Sequence, residues 1–280
     1  MIFRSRILPI AFLLFLLLPV PSVAEQRQEL IITHDSNYEP FVYLDAQGLP
    51  QGYLIDFWEH FGEVNSINIT FKLGNWQETL DWMRSGQADV HGGLFFTEKR
   101  NKYLDYGEPI ANLSAAIYIA KGLTWDDFQE FPVGVVTGGY TEHFMQQSWP
   151  DRPVQNFSQA RDMIKAAVDE DIKAFVADEP IAVFYLRKFK AQGKLLKFED
   201  AYSNKLRAAV AEGREDLHSI LQEGWTRLDA KKLNYIRSKW FLDVDNDRGW
   251  ALTGALIAAL VMFIGLLCRI LGRRYTPPKN

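Results

Sequence analysis

Val90-His91-Gly92-Gly93-Leu94-Phe95-Phe96 runs directly into Thr97-Glu98-Lys99-Arg100, and further on Lys173-Ala174-Phe175-Val176 runs into Ala177-Asp178-Glu179-Pro180. Each stretch reads as a short apolar strand followed at once by charge. In open α/β sheets ligands bind at the carboxyl ends of strands. An arginine fork there matches a carboxylate, and an aspartate matches an ammonium group. Arg100 and Asp178 together would clamp a zwitterion. The competing reading is two unrelated, solvated surface charges.

Outward from these strands, the chain alternates strand and helix signals. Leu30–Thr33 is a β-branched run, and Asp35–Tyr38 a polar turn. Phe41–Leu44 reads as a strand entering the turn Asp45–Gly48. Leu54, Phe57, Trp58 and Phe61 recur at helical spacing within Leu54–Val64. Ile67–Phe71 alternates as a strand, and Trp76–Arg84 is helical again. Such alternation predicts a largely parallel sheet with helices on both faces. A second unit starts at Pro132–Val136, a strand followed by the glycine turn Thr137-Gly138-Gly139-Tyr140 and a helix from Thr141. A helix start after such a turn suits an anion, although glycine pairs more often mark a plain tight turn. Ala160–Val168 is an amphipathic helix, Leu206–Ala211 a strand, and two helical stretches run on to Trp240.

Arg4 and Arg6 precede an apolar run from Ile7 to Val20, and Ser22 and Ala24 stand at the −3 and −1 positions of a cut before Glu25. This is the layout of a secretory signal peptide over residues 1–24, the alternative being an uncleaved N-terminal anchor. Gly249–Cys268 carries no charge between Arg248 and Arg269. About twenty helical residues cross a hydrocarbon core of roughly 30 Å, so residues 249–271 are expected to span a membrane. The arginines at 269, 273 and 274 place the 272–280 tail in the cytoplasm and residues 25–243 outside. Cys268 is the single cysteine and rules out an intramolecular disulfide. The exported part must hold together by its core. The net charge of −4 argues against nucleic acid. The five histidines lack metal-ligand spacing, so no metal or cofactor is expected.

These residues, in order, resemble family 3 extracellular solute-binding proteins. The landmarks are Asp35 to Phe41, Asp45 to Gly52, Asp56, Trp76, Gly86 to Asp89, Thr97 to Arg100, Val133 to Gly139, Asp178, and Ile236 to Phe241. The resemblance covers about residues 29 to 242. It implies the α/β type II periplasmic-binding-protein fold: two α/β lobes joined by two crossing strands, followed here by a C-terminal transmembrane helix. Lobe 1 would comprise about 29–117 and 207–242, and lobe 2 about 121–203, with hinge strands near Ala115–Ala120 and Lys205–Ala211.

Carried over residue by residue, the resemblance makes Arg100, with Thr97 in its motif, the position for a ligand α-carboxylate. Asp178 becomes the position for its α-ammonium. Gly139 and Tyr140 match the turn whose backbone N–H groups help hold the carboxylate. Tyr38 and Trp76 match aromatic positions packed on the ligand, and Asp35 one that tunes side-chain charge. Tyr38 and Trp76 also read as ordinary core aromatics, and Asp35 as a turn cap. Two departures stand out: Phe95 replaces a usual serine donor, and Gly139-Tyr140 replaces two hydroxyl residues. Each missing donor forfeits about 0.5–1.5 kcal/mol, pointing to a more apolar ligand or to weak binding.

The resulting expectation is a binding module, not an enzyme: a domain in the periplasm, tethered to the bacterial inner membrane by one C-terminal span. It would close around an amino-acid-like small molecule and serve a permease or a signalling partner protein. The short cytoplasmic tail leaves any output to such a partner. Two other classes stay open: a cyclohexadienyl dehydratase-like enzyme on the same fold, with Glu142 or Glu179 as acid, and a ligand-free interaction domain.

Overall fold

The computed structural model describes residues 28–241, together with Ile257 and Met262. Among them no helix is long and apolar enough to cross a membrane. The expected signal peptide, and all of the expected span but those two residues, lie outside the described residues.

The first strand, β1 (Glu29–Asp35), is followed by three short strands, β2 (Asn37–Tyr38), β3 (Val42–Leu44) and β4 (Pro50–Gln51), which form a small antiparallel sheet of their own. Then come α1 (Tyr53–Asn65), β5 (Asn68–Gly74), α2 (Trp76–Ser85) and β6 (Val90–Leu94). A 17-residue strand, β7 (Leu104–Ala120), leads to α3 (Trp125–Glu130), β8 (Val133–Val136), α4 (Tyr140–Ser148), β9 (Val154–Phe157), α5 (Ala160–Val168), β10 (Ala174–Asp178) and α6 (Glu179–Lys188). The return strand β11 (Leu195–Ala211) is also 17 residues long, and α7 (Glu215–Trp225) and α8 (Ala230–Phe241) follow.

The main sheet has the order β5-β1-β6-β11-β7-β10-β8-β9. Its outer pairs are parallel, as the alternation predicts. Its centre corrects that expectation, because β7 and β11 pair antiparallel with each other and with their neighbours. The sheet is therefore mixed. The two long strands run together from Leu104↔Ala211 to Ala120↔Leu195. At one end β11 pairs with β6; at the other β7 pairs with β10. One ladder thus carries a first half (β5-β1-β6) and a second half (β10-β8-β9). Its register shifts four times, and Pro109, which has no N–H to give, sits at one of the shifts.

One buried apolar cluster runs through both halves, and each half adds a smaller one of its own. The α1 positions at helical spacing put Phe57, Trp58 and Phe61 against Trp225 of α7, with ring centroids 5.4, 5.9 and 5.6 Å apart. In the second half Tyr118 stacks on Phe175 at 5.0 Å. The last helix is fixed to the first half: Lys239 Nζ and Trp240 Nε1 both donate to Asp56 Oδ2, at 2.7 and 2.8 Å. Phe241 packs on Phe41 and Tyr53.

The start of α1 depends on one glycine. Gly52 has φ +131°, and a Cβ there would lie 2.1 Å from the Phe41 carbonyl oxygen. The close approach lets Tyr53 and Leu54 N–H groups bond Pro40 and Phe41 carbonyls, which anchors the loop carrying Tyr38. Gly52→Ala combines backbone strain with that clash and is expected to cost at least about 2 kcal/mol. Urea unfolding measures this; a loss under about 0.5 kcal/mol would contradict the assignment.

Candidate functional site

Where the halves meet, the carboxyl ends of β1, β6, β8 and β10 surround a cavity of about 80 Å³. Arg100, Tyr38, Trp76, Asp35 and Phe95 line it from the first half. Gly139, Tyr140 and Asp178 line it from the second. Eight of the nine residues expected to bind ligand are therefore brought together. Thr97 is the exception: it lies outside the lining, and its hydroxyl accepts the Arg100 N–H at 3.2 Å, holding the turn that presents the guanidinium.

Arg100 is 5% exposed. Its Nη1 donates to Phe95 O at 2.8 Å and its Nη2 to Gly138 O, across the cleft, at 3.0 Å. Its guanidinium carbon lies 4.9 Å from the centre of the Trp76 ring. Trp76 is set by an N-terminal capping box in which Asn75 and Glu78 bond each other's backbone. From that first helical position its indole N–H also donates to Gly138 O, at 2.9 Å. Gly138 can aim its carbonyl this way because its φ is +69°. Burial lowers the Arg100 pKa, and the opposing influences are tyrosines, Tyr106 first. Among the described residues, no carboxylate lies within ion-pair distance of this buried cation.

Asp178 stands at the N-cap position of α6 without capping it through its side chain. Instead, Oδ2 accepts the Tyr38 hydroxyl from the first half at 2.6 Å, and Oδ1 the Tyr202 hydroxyl from β11 at 3.1 Å. Burial raises its pKa to about 6 despite those bonds. Asp35 is likewise raised to about 6 by burial; its carboxylate accepts the Asn37 N–H at 3.0 Å, the turn role weighed for it. Two histidines lie beneath. His34 is held neutral by burial, its pKa lowered to about 4. His91 is also neutral. Thr79 Oγ1 donates to Trp76 O, so it accepts from His91 Nε2 at 3.2 Å, which leaves Nδ1 to accept the Gly93 N–H.

The expectation for the Gly138-Gly139 turn needs correction. The Gly139 N–H is engaged with Val136 O at 3.0 Å, and the Gly138 N–H with Glu142 Oε2 at 2.7 Å, so this turn offers the cavity less backbone than expected. Phe95 contributes its carbonyl to Arg100 while its ring meets Tyr140 and Tyr202 edge-on. Neither Glu142 nor Glu179 lines the cavity; Glu179 pairs with Lys197 at 3.0 Å. Tyr202 was missed from sequence. It is a lone aromatic in the polar run Glu199–Asn204, brought beside Asp178 by pairing with Ala115.

The sign of the Asp178 shift has a measurable result. A carboxyl whose pKa is higher folded than unfolded stabilises the fold below the unfolded value, near 4, and that contribution is lost as pH rises through about 6. Asp178→Asn removes the burden of a buried charge. It is expected to be about 1–3 kcal/mol more stable than the parent at pH 7.5 and nearly equal at pH 4, by urea unfolding. Equal stability at both pH values would refute the shift.

Comparison with known proteins agrees with this fold. A histidine kinase sensor domain with similarity to periplasmic binding proteins superposes with a TM-score of 0.71 at 20% identity, covering 77% of this chain and 96% of that one; at that identity the likeness is one of fold. A probable histidine-binding protein of Neisseria gonorrhoeae is 23% identical over 220 residues, 75% of this chain and 82% of its own length. Virulence sensor protein BvgS of Bordetella bronchiseptica is 24% identical over 179 residues, 62% of this chain but only 14% of that protein. The sequence model of one family runs from residue 30 to residue 243, through β1, both long strands and α8, and by that match the chain belongs to the bacterial extracellular solute-binding proteins, family 3.

Proposed function

We propose that the cleft binds a small zwitterion, an α-amino acid or a close relative, and that hinged movement of the two halves reports its arrival. One observation carries the reading: Arg100 is buried with neutral carbonyl oxygens as its hydrogen-bond partners. A guanidinium cannot shed its proton, and a buried charge without a counter-charge is costly, so an anionic ligand group completes it. Two of its five donors bond the protein, which leaves a fork for a carboxylate. Asp178 is the complementary end, for a cation, and Asp35 faces the ligand's side chain. The family supports solute binding, and the relative named as a probable histidine-binding protein supports an amino acid.

Residues 25–243 act in this reading as a periplasmic domain released from a signal peptide at 1–24 and held at the inner membrane by residues 249–271. The likeness to sensor domains favours signalling through a partner protein over delivery to a permease. A ligand shifts the balance between open and closed forms only by binding the closed one better, and bridging Arg100 to Asp178 supplies that difference.

The full chain is expected to show saturable thermal stabilisation by at least one member of an amino-acid panel. Arg100→Ala should weaken that ligand at least about 30-fold, because it removes one member of a buried charge pair. No stabilisation by any member would refute the reading. The pH dependence has a fixed direction. An ammonium group needs Asp178 ionised, so affinity should be level above about pH 7 and fall by up to about tenfold per unit below the Asp178 pKa of about 6. Titration calorimetry across pH 5–8 checks it; affinity rising on acidification would contradict the assignment of Asp178.

A further inference from the structure

We infer that Glu39 is a positioning residue of the site: with Tyr185 and Lys188 it fastens α6 to the loop carrying Tyr38, and so favours the closed arrangement of the halves from outside the cavity. The inference takes the hinged movement from the reading above and is independent of the ligand's identity. Glu39 is 9% exposed and lies in the first half, on the loop between β2 and β3. Tyr185 and Lys188 lie in the second half, on α6. Glu39 Oε2 accepts the Tyr185 hydroxyl, and its Oε1 accepts Lys188 Nζ at 3.3 Å. None of the three lines the cavity, so none of them reaches a ligand there.

The neighbouring residue shows what this contact does. Tyr38 and Glu39 are consecutive, and Tyr38 donates to Asp178, the residue just before α6. Asp178 and Tyr185 are two helical turns apart, so they share a face of the helix with ~10 Å between them along its axis. One fastening leaves a helix free to pivot about it. Two, made by adjacent residues of one loop, fix its direction as well. Turning the second half about β7 and β11 far enough to part Tyr38 from Asp178 also draws α6 away from Glu39. The two partners of Glu39 contribute unequally. Lys188 is half-exposed, and solvent screens its charge. Tyr185 is fully buried, and burial and the bond to Glu39 push its phenol up, so it remains a donor. Removing that hydroxyl leaves a buried carboxylate with one donor fewer in the closed form, and opening lets water replace it.

The test is thiol trapping on the full chain in detergent micelles, with Cys268→Ser and without added amino acid. Thr141 is buried at the cavity wall. A thiol placed there by Thr141→Cys reacts with a methanethiosulfonate reagent in proportion to the open population, however small. Tyr185→Phe, which keeps the ring and its packing, is expected to speed that reaction about threefold to tenfold. Glu39→Ala should do the same, and the double variant should react no faster than Glu39→Ala alone, because both changes remove one contact. Met145→Cys, in the second half's own core, is the control for unfolding and should stay as slow as in the parent. Unchanged trapping at position 141 in both single variants overturns the inference. So does an equal acceleration at position 145, which would mean loss of fold rather than turning of the hinge. Stabilisation of the parent by an amino acid is measured separately and decides the zwitterion reading alone.

Discussion

A guanidinium keeps its proton at any pH a cell meets, so burying one commits a protein to surrounding it with oxygen. Arg100 is that commitment in this molecule. One of its partners, Phe95 O, comes from the turn after β6 in its own half; the other, Gly138 O, comes from the turn after β8 in the opposite half. The second bond draws the halves together at the cleft, and Trp76 reinforces it by donating to the same carbonyl. The positive φ of Gly138 and the capping box of Asn75 serve this meeting point. Tyr38 and Asp178 form a second crossing. The aromatic rings then pack in the space that these polar contacts define.

The site is held at some cost to the fold. Asp35 and Asp178 are ionisable groups in surroundings that favour their neutral forms, and among the described residues no cationic side chain is hydrogen-bonded to either. A structure selected for stability alone would place apolar residues there. Groups kept buried with raised pKa values and a cavity between them are the signature of a binding function, since a ligand supplies what the protein withholds.

Much of this was legible in the chain, and the remainder was hidden for identifiable reasons. The helical spacing of Leu54, Phe57, Trp58 and Phe61 predicts α1 almost to its ends, and Ala160–Val168 matches α5. Arg100 and Asp178 follow short apolar strands, and both line the cavity. The long strands were read only in part. Leu104–Ala120 and Leu195–Ala211 pass from one half into the other, so their burial follows two environments in turn and shows no single alternation. Their antiparallel pairing is a long-range fact without a local signal. Tyr202 depends on that pairing and on the register shift beside it, which aims its ring at the cleft. The Gly138 carbonyl belongs to the backbone, and no residue type announces it.

In the proposed hinged movement, the fastening of α8 to Asp56 sets which half would move. Lys239, Trp240 and Phe241 tie the end of α8 to the first half. In that proposed movement, an anchor beyond Phe241 would make the first half the stator and the second half the rotor, with β7 and β11 as the axle between them. A partner resting on the first half would feel nothing of it. A partner that reads the state of this domain must touch the rotor, or span both.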